Sequence, residues 1–456
     1  MSNILSRTGL FLAMALLAAP LAQGQTPAVP ASAATDTSAP PIVTGDIKAG
    51  IEKHIAEQIA RGDGFFTVDF EGRQLRLNLV RVHLEYLASL APTRHFACVD
   101  MASDDGQFYD IDFFLAGKAD SMTVTETTVH KLNGRPYYLW EQDDEGLWGR
   151  TSVDDGSNAL LGVIDGTDTF EFRYQATLPE FTAHARWWIP LAGSDDFQTV
   201  TLKSIDAPGT REILTDRDHG NKVLFLELTP EDGGRSLEIV YEVVRKEKSA
   251  YPGDPAEAKR YLMPERMVPS DPTIRAAAET AVADRKSDLM KARALYDLVI
   301  DQMNYKKFGE GWGQGDAVFA CNSLYGNCTD YHAFFIGLAR SVSIPARFAI
   351  GAAIPSERNE GGTDGYHCWA EFYADGKWWP VDISEADKFS ALSMYYFGHH
   401  PANRFEFTHG RDLVLEPGPE SGPVNFLAYP LLEVDGRAQR VPTMFLFRRV
   451  PPHADS

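Results

Sequence analysis

The chain has 456 residues, 44% of them hydrophobic, and a formal net charge of -21 from 43 basic and 64 acidic side chains. That length and apolar content can form two or three cores. The charge repels nucleic acid and anionic membrane surfaces at long range, which argues against either as the main partner.

From the N-terminus, Arg7, the apolar run Leu10 to Leu17 and small residues ending at Ala22-Gln23-Gly24 read as a cleavable secretory signal over residues 1–24. A periplasmic or secreted location is expected. The run is too short for a membrane span and no later stretch approaches the roughly 20 apolar residues one needs, so an integral membrane protein is not expected. No cysteine directly follows the signal, which speaks against a lipoprotein anchor. Residues 25–45, rich in Ala, Pro and Thr, predict a disordered tether.

Ile47, Ile51, Ile55 and Ile59 recur every four residues before Gly62, the stripe of an amphipathic helix. Alternating runs at Gln74 to Leu79, Tyr109 to Leu115 and Met122 to Val129, with turns at Glu71-Gly72 and Asn133-Gly134, predict antiparallel strands packed on it. Together these make residues 46–150 a small α+β domain. Strand-like runs at Ala185 to Pro190, Gln198 to Ser204 and Val223 to Val244 predict a β-sandwich over 151–250.

Ser270-Asp271-Pro272 is a helix start, and Leu289, Ala292, Leu295, Tyr296, Val299 and Met303 continue at helical spacing. Cys328 then follows a Gly326-Asn327 turn and precedes Tyr331, Phe334, Phe335, Leu338 and Val342, spaced along one helical face. A thiol at a helix N-terminus meets unpaired N–H groups and the positive end of the helix dipole. With an imidazolium beside it, its pKa falls from about 8.5 to roughly 4, or about 6 kcal/mol in favour of the ion pair.

Two aromatic-rich runs, His367 to Tyr373 and Lys377 to Val381, flank Asp375-Gly376 and predict a hairpin. If those two are the loop, Ala374 pairs with Lys377 and, counting outward, Trp369 meets Asp382, which puts His367 on the same face as Asp382. The pattern fits a relay in which Asp382 orients His367, His367 exchanges a proton and Cys328 attacks.

Gly326-Asn327-Cys328-Thr329-Asp330, Ser343-Ile344-Pro345-Ala346-Arg347, His367-Cys368-Trp369-Ala370-Glu371 and Trp379-Pro380-Val381-Asp382, in that order, resemble the transglutaminase-like core. The resemblance is strong from about Tyr261 to Leu415, weaker over Thr167 to Lys246, and absent before Arg150. It implies an α+β, papain-like fold in which a helix carrying the cysteine packs on an antiparallel sheet carrying His and Asp, preceded by β-rich domains. It places Cys328, His367 and Asp382 on the superfamily's catalytic positions. The core is expected over 255–415, with residues 416–456 adding strands packed on it. Similar cores serve as cross-linkers, peptidases, amidases and inactive scaffolds.

An oxyanion donor is expected from the Cys328 N–H. Trp312 and Gln314, in Gly311-Trp312-Gly313-Gln314-Gly315, are candidates for a second, although a plain glycine-rich surface loop is the favoured reading. Trp369 is a candidate cleft wall, with hairpin core as its ordinary role. The polar Arg358 to Gly365 stretch is a candidate mobile rim, with an ordinary loop as the default. In an oxidising compartment Cys321 and Cys368 pair or stay as buried thiols, and pairing leaves Cys98 single. No cofactor is expected. Neither is a metal, because His399-His400 point apart on a strand and no helical zinc spacing or EF-hand loop occurs. The expected activity is exported cysteine-dependent acyl transfer on peptide or carboxamide bonds of a protein or peptide substrate. Hydrolysis is favoured because water is always present, with amine-dependent cross-linking or a non-catalytic envelope scaffold as alternatives.

Overall fold

The structure, a computed structural model, describes residues 43–83, 88–91, 94–118, 121–142, 148–152 and 162–450. The expected signal, and the tether as far as residue 42, lie outside these residues. The fold mixes α and β, with mostly antiparallel sheets.

The helix Thr44–Arg61 buries Ile47, Ile51 and Ile55, the stripe its periodicity predicts. It packs on the seven-stranded sheet that contains Phe66–Phe70, Arg73–Val82, Arg94–Ser103, Phe108–Ala116 and Thr123–Leu132. The shared core includes Leu77, Val99, Met101, Ile111 and Phe113. A separate hairpin, Tyr138–Gln142 with Trp148–Ser152, follows.

Two five-stranded antiparallel sheets come next in the chain. One holds Gln198–Asp206, Ser236–Lys246 and Thr167–Thr177, and the other holds Thr210–Thr215, Lys222–Leu228 and Ala185–Leu191. Their inward residues, among them Phe172 and Tyr174 from one and Trp187 and Leu224 from the other, share a core. The strands after residue 416 pack on the catalytic sheet, Phe445 against Phe407 at 5.3 Å between ring centroids, but their backbones pair elsewhere and complete these two sheets, Thr443–Arg449 pairing with Thr167–Thr177 and Leu431–Val434 with Ala185–Leu191. The reason lies in side-chain matching, since the register sets Phe447 opposite Phe172 and Phe445 opposite Tyr174. Facing aromatic pairs of this kind stabilise a ladder by roughly 0.2–1 kcal/mol each. Between the catalytic sheet and these strands, Leu413 and Val424 form an isolated bridge.

The remaining unit joins helices to a five-stranded sheet. Asp271 caps the helix Pro272–Val282 and Ser287 caps Asp288–Gln302. The helix Cys328–Ser341 is buried from Cys328 to Ala339, so it is a central helix rather than an amphipathic surface one. It packs on the strands His367–Ala374 and Ala346–Ala353. The sheet order is Tyr251–Pro252, Lys377–Val381, His367–Ala374, Ala346–Ala353, Arg404–His409. Asp375 and Gly376 form the hairpin turn with φ of 53° and 78°, and Ala374 pairs with Lys377 as counted from the sequence. Beside His367, its strand partner Gly351 has no alternative residue, since a Cβ there would sit 1.8 Å from the Phe405 carbonyl oxygen.

A buried ion network crosses this sheet and joins it to Lys248, which lies in a short two-stranded pair with His400. Glu371 accepts from Lys248 Nζ at 2.9 Å, Arg347 Nη2 at 2.6 Å and the Tyr251 hydroxyl at 2.8 Å. Burial alone would raise the Glu371 pKa, but the two cations hold it well below the usual carboxylate range.

Candidate active site

The site begins at the turn before the Cys328 helix. Asn327 caps the helix by accepting the Thr329 N–H at 3.0 Å, and Asp330 returns the bond by accepting the Asn327 N–H at 3.0 Å. Asp330 also accepts the N–H groups of Gly313 and Gly315, at 2.7 and 3.0 Å. One carboxylate therefore fixes both the helix start and the upstream glycine loop. Gly326 is required here because a Cβ would meet the Asp330 side chain at 2.4 Å. Within that loop Trp312 is half-buried and Gln314 exposed. The Gln314 carbonyl accepts from Asn425 Nδ2 at 2.8 Å, so its main chain anchors the loop.

Cys328 is 2% exposed, His367 6% and Asp382 0%. His367 Nε2 donates to Asp382 Oδ2 at 2.6 Å, and His367 and Cys328 each favour the charged form of the other. With Nε2 held by the carboxylate, Nδ1 is the nitrogen that serves the sulfur. Asp382 is itself the N-cap of the short helix Ile383–Lys388, its Oδ1 accepting from the Glu385 N–H and the Ser384 hydroxyl at 3.2 Å each. Arg404 Nη2 lies 3.6 Å from Asp382 Oδ2 and 3.7 Å from Glu385. The structure thus brings Cys328, His367 and Asp382 together.

The charges follow from these contacts. Burial opposes ionisation of Asp382, but the His367 imidazole and Arg404 overcome it and hold the carboxyl well below its usual range. Burial likewise pulls His367 down, yet Asp382 and Cys328 raise it to about 9. The Cys328 thiol is pulled well below its usual value, first by a hydrogen bond from Cys368 and then, against burial, by His367. Burial pushes Cys368 up, so of the two thiols the one at the helix N-terminus is the one that ionises. The combination is a thiolate–imidazolium pair oriented by a carboxylate.

His332 escaped the sequence reading. One turn after Cys328, it donates from Nδ1 to the Cys328 carbonyl at 2.7 Å, and its Nε2 accepts the Ile383 N–H at 3.0 Å. This fixes it as the neutral Nδ1–H tautomer, and burial lowers its pKa accordingly. It joins the cysteine helix directly to the helix capped by Asp382. A histidine inside an apolar helical run gives no local signal of such a bridge.

Trp369 and the remaining cysteines take the plainer of the roles left open for them. Trp369 is fully buried, 4.3 Å from the ring of His400 and 6.2 Å from that of His367, so it backs the imidazole instead of walling a cleft. Cys98, Cys321, Cys328 and Cys368 are all free thiols, and Cys368 lies against Cys328 and 3.7 Å from His332 Nδ1, not in a disulfide with Cys321. A cavity of about 370 Å³ reaches His367 and is lined by Tyr305, Tyr366, Glu385, Lys388 and Arg404. The Tyr366 hydroxyl in its wall accepts from Asn327 Nδ2 at 2.9 Å.

This cysteine helix, packed on a sheet that delivers His and Asp, defines a transglutaminase-like core, and residues 275–383 match the model of the Transglutaminase-like superfamily. An uncharacterized protein of Haemophilus influenzae (strain ATCC 51907 / DSM 11121 / KW20 / Rd) is 27% identical over 298 residues, covering 55% of this chain and 80% of that one. Among solved structures, a candidate cysteine protease from Cytophaga hutchinsonii matches at TM-score 0.44 and 15% identity, over 63% of this chain and 99% of its own. The periplasmic domain of TgpA from Pseudomonas aeruginosa matches at TM-score 0.28 and 16% identity, over 57% of this chain and 88% of its own.

Proposed function

We propose that the protein is an exported cysteine acyl-transfer enzyme that cleaves peptide or carboxamide bonds through a thioester. The observation that carries this reading is the buried set of Cys328 at its helix start, His367 and Asp382, with His367 hydrogen-bonded to Asp382 and the Cys328 thiol held well below its usual value. The Cys328 thiolate attacks the carbonyl carbon, and the carbonyl oxygen takes the displaced electron pair beside the Cys328 N–H. His367 gives its proton to the leaving amine as the C–N bond breaks, leaving an acyl-thioester. The now neutral His367 then takes a proton from water as it attacks the thioester, which releases the acid and restores the ion pair. Hydrolysis is favoured over amine transfer because the cavity gives water access to His367 and water is always present. Residues 1–24, with their signal-like pattern, support export.

Product analysis with a peptide or glutamine donor, with and without an added amine, tests this. A free acid as main product at low amine concentration supports the hydrolase, and an amide product there overturns it. Labelling with a thiol probe at mildly acidic pH tests the underlying chemistry, because an ordinary thiol hardly reacts there. Equal labelling of wild type and Cys328→Ala removes the basis of the reading.

A further inference from the structure

The N-terminal sheet has two unlike faces. Ala97, Val99, Met101, Ile111 and Phe113 face the helix Thr44–Arg61, so the alternating partners Cys98, Asp110 and Asp112 point to the other side. Cys98 sits directly opposite Asp112 in the ladder. On the next strand the register slips between Asp110 and Ile111, so Val129 faces Ile111, Lys131 faces Asp110, and His130 is the extra residue of a bulge. Bulges re-aim side chains, and this one adds an imidazole to the polar face. Cys98, Asp110, Asp112 and His130 are all buried, with ligand-type atoms within 4.8 Å of one another.

We propose that these four side chains bind one zinc-like divalent cation as a structural site. For each of three ligands, the atom turned away from the cluster is anchored while the inner one is left available. His130 Nε2 donates to the Tyr138 carbonyl at 3.1 Å, so the lone pair is on Nδ1, which is buried and makes no hydrogen bond. Asp112 Oδ2 accepts from the Tyr138 hydroxyl at 2.6 Å and from Trp140 Nε1 at 2.9 Å, which leaves Oδ1 facing the cluster. Asp110 Oδ2 meets Lys131 Nζ at 3.3 Å, and its buried Oδ1 has no partner. Outer contacts of this kind orient metal ligands.

The separations also fit. Tetrahedral zinc with bonds of about 2.0–2.3 Å sets neighbouring ligand atoms about 3.3–3.5 Å apart. Asp112 Oδ1 lies 3.2 Å from Cys98 Sγ and 3.4 Å from His130 Nδ1, and one ligand-type atom from each of the four residues lies within 4.8 Å of the others. A thiolate, two carboxylates, the Lys131 ammonium and a dication together are electrically neutral, as a buried site requires. One sulfur, one imidazole nitrogen and two carboxylate oxygens suit zinc rather than calcium or magnesium. Four protein ligands leave no open position, which makes the role structural: the ion fastens three strands beneath the Tyr138–Gln142 hairpin.

The test uses the full chain. Elemental analysis after purification from zinc-supplemented medium, cobalt titration of the chelator-treated protein, and thermal melting are read together. One equivalent of metal, a thiolate-to-cobalt charge-transfer band and a higher Tm on reloading are expected. The band should persist in Cys328→Ser, disappear in Cys98→Ser and form with about 10–100-fold weaker affinity in Tyr138→Phe, which removes only an outer contact. Wild-type protein that takes up no metal and melts unchanged with zinc overturns the proposal. So does a band that survives in Cys98→Ser. If that variant does not fold, an unweakened Tyr138→Phe decides against the site.

Discussion

Replacing Asp382 by Asn removes a charge and little else. Asn is as good a helix N-cap as Asp, so the Ile383–Lys388 helix keeps its start, and the amide oxygen still reaches His367. What disappears is the carboxylate that raises His367 to about 9 against its burial. Without it, desolvation brings the imidazole to its ordinary 6.5 or lower. The imidazolium is then disfavoured about 300-fold, about 3 kcal/mol, and the Cys328 thiolate loses its counter-ion. The assay is the pH profile of Cys328 alkylation by iodoacetamide, read on the Cys328 peptide by mass spectrometry so that the other three thiols do not contribute. Wild type should react throughout the mildly acidic range, whereas Asp382→Asn should react only as pH approaches an ordinary thiol pKa. Amide hydrolysis by wild type should fall as pH rises through about 9, where His367 loses the proton it gives to the leaving group, and that limb should move to lower pH in the variant. An alkylation profile that shifts less than threefold anywhere in the acid range refutes the argument that Asp382 sets the ion pair.

Three further outcomes are expected. His332→Phe leaves the Cys328 carbonyl and the Ile383 N–H without their partner, and should lower stability by about 1–3 kcal/mol in denaturant unfolding, with a loss of activity that a thiol-labelling profile separates from simple unfolding. Glu371→Gln leaves Lys248 and Arg347 buried without their anion and should cost about 3–5 kcal/mol. Because the folded Glu371 pKa is depressed, its contribution is present above about pH 4.5 and is lost as pH falls through the depressed value, so the wild type should lose this advantage over the variant in acid melts. Gly351→Ala drives a methyl group into the Phe405 carbonyl and should destabilise by about 1–3 kcal/mol or more, with reduced kcat because the strand partner of His367 is displaced.

Much of the local order was legible because it rests on short-range rules. The Asp375-Gly376 turn fixed a register that the structure keeps, and from it followed the shared face of His367 and Asp382. The helix over Thr44–Arg61 and the helix start at Cys328 came from spacing and caps. What stayed hidden depends on partners far apart in the chain. Nothing within Thr443–Arg449 names Thr167–Thr177 as its neighbour. Asp330 looks like an ordinary first-turn acid, and its hold on Gly313 and Gly315 needs the loop folded back. The Cys98, Asp110, Asp112 and His130 cluster has no motif spacing because its members come from three strands and one depends on a bulge.

The pairing of Thr443–Arg449 has a consequence for how the chain assembles. That strand lies inside its sheet, between Thr167–Thr177 and Glu360–Gly362, with Phe170 opposite Arg449. At about 5–20 residues per second, a ribosome takes on the order of 15–60 s to make the intervening segment. Over that interval Thr167–Thr177 exposes an aromatic edge that only a late-made strand can cover. Early folding would end in an open, aggregation-prone ladder, whereas a chain released whole can close it at once.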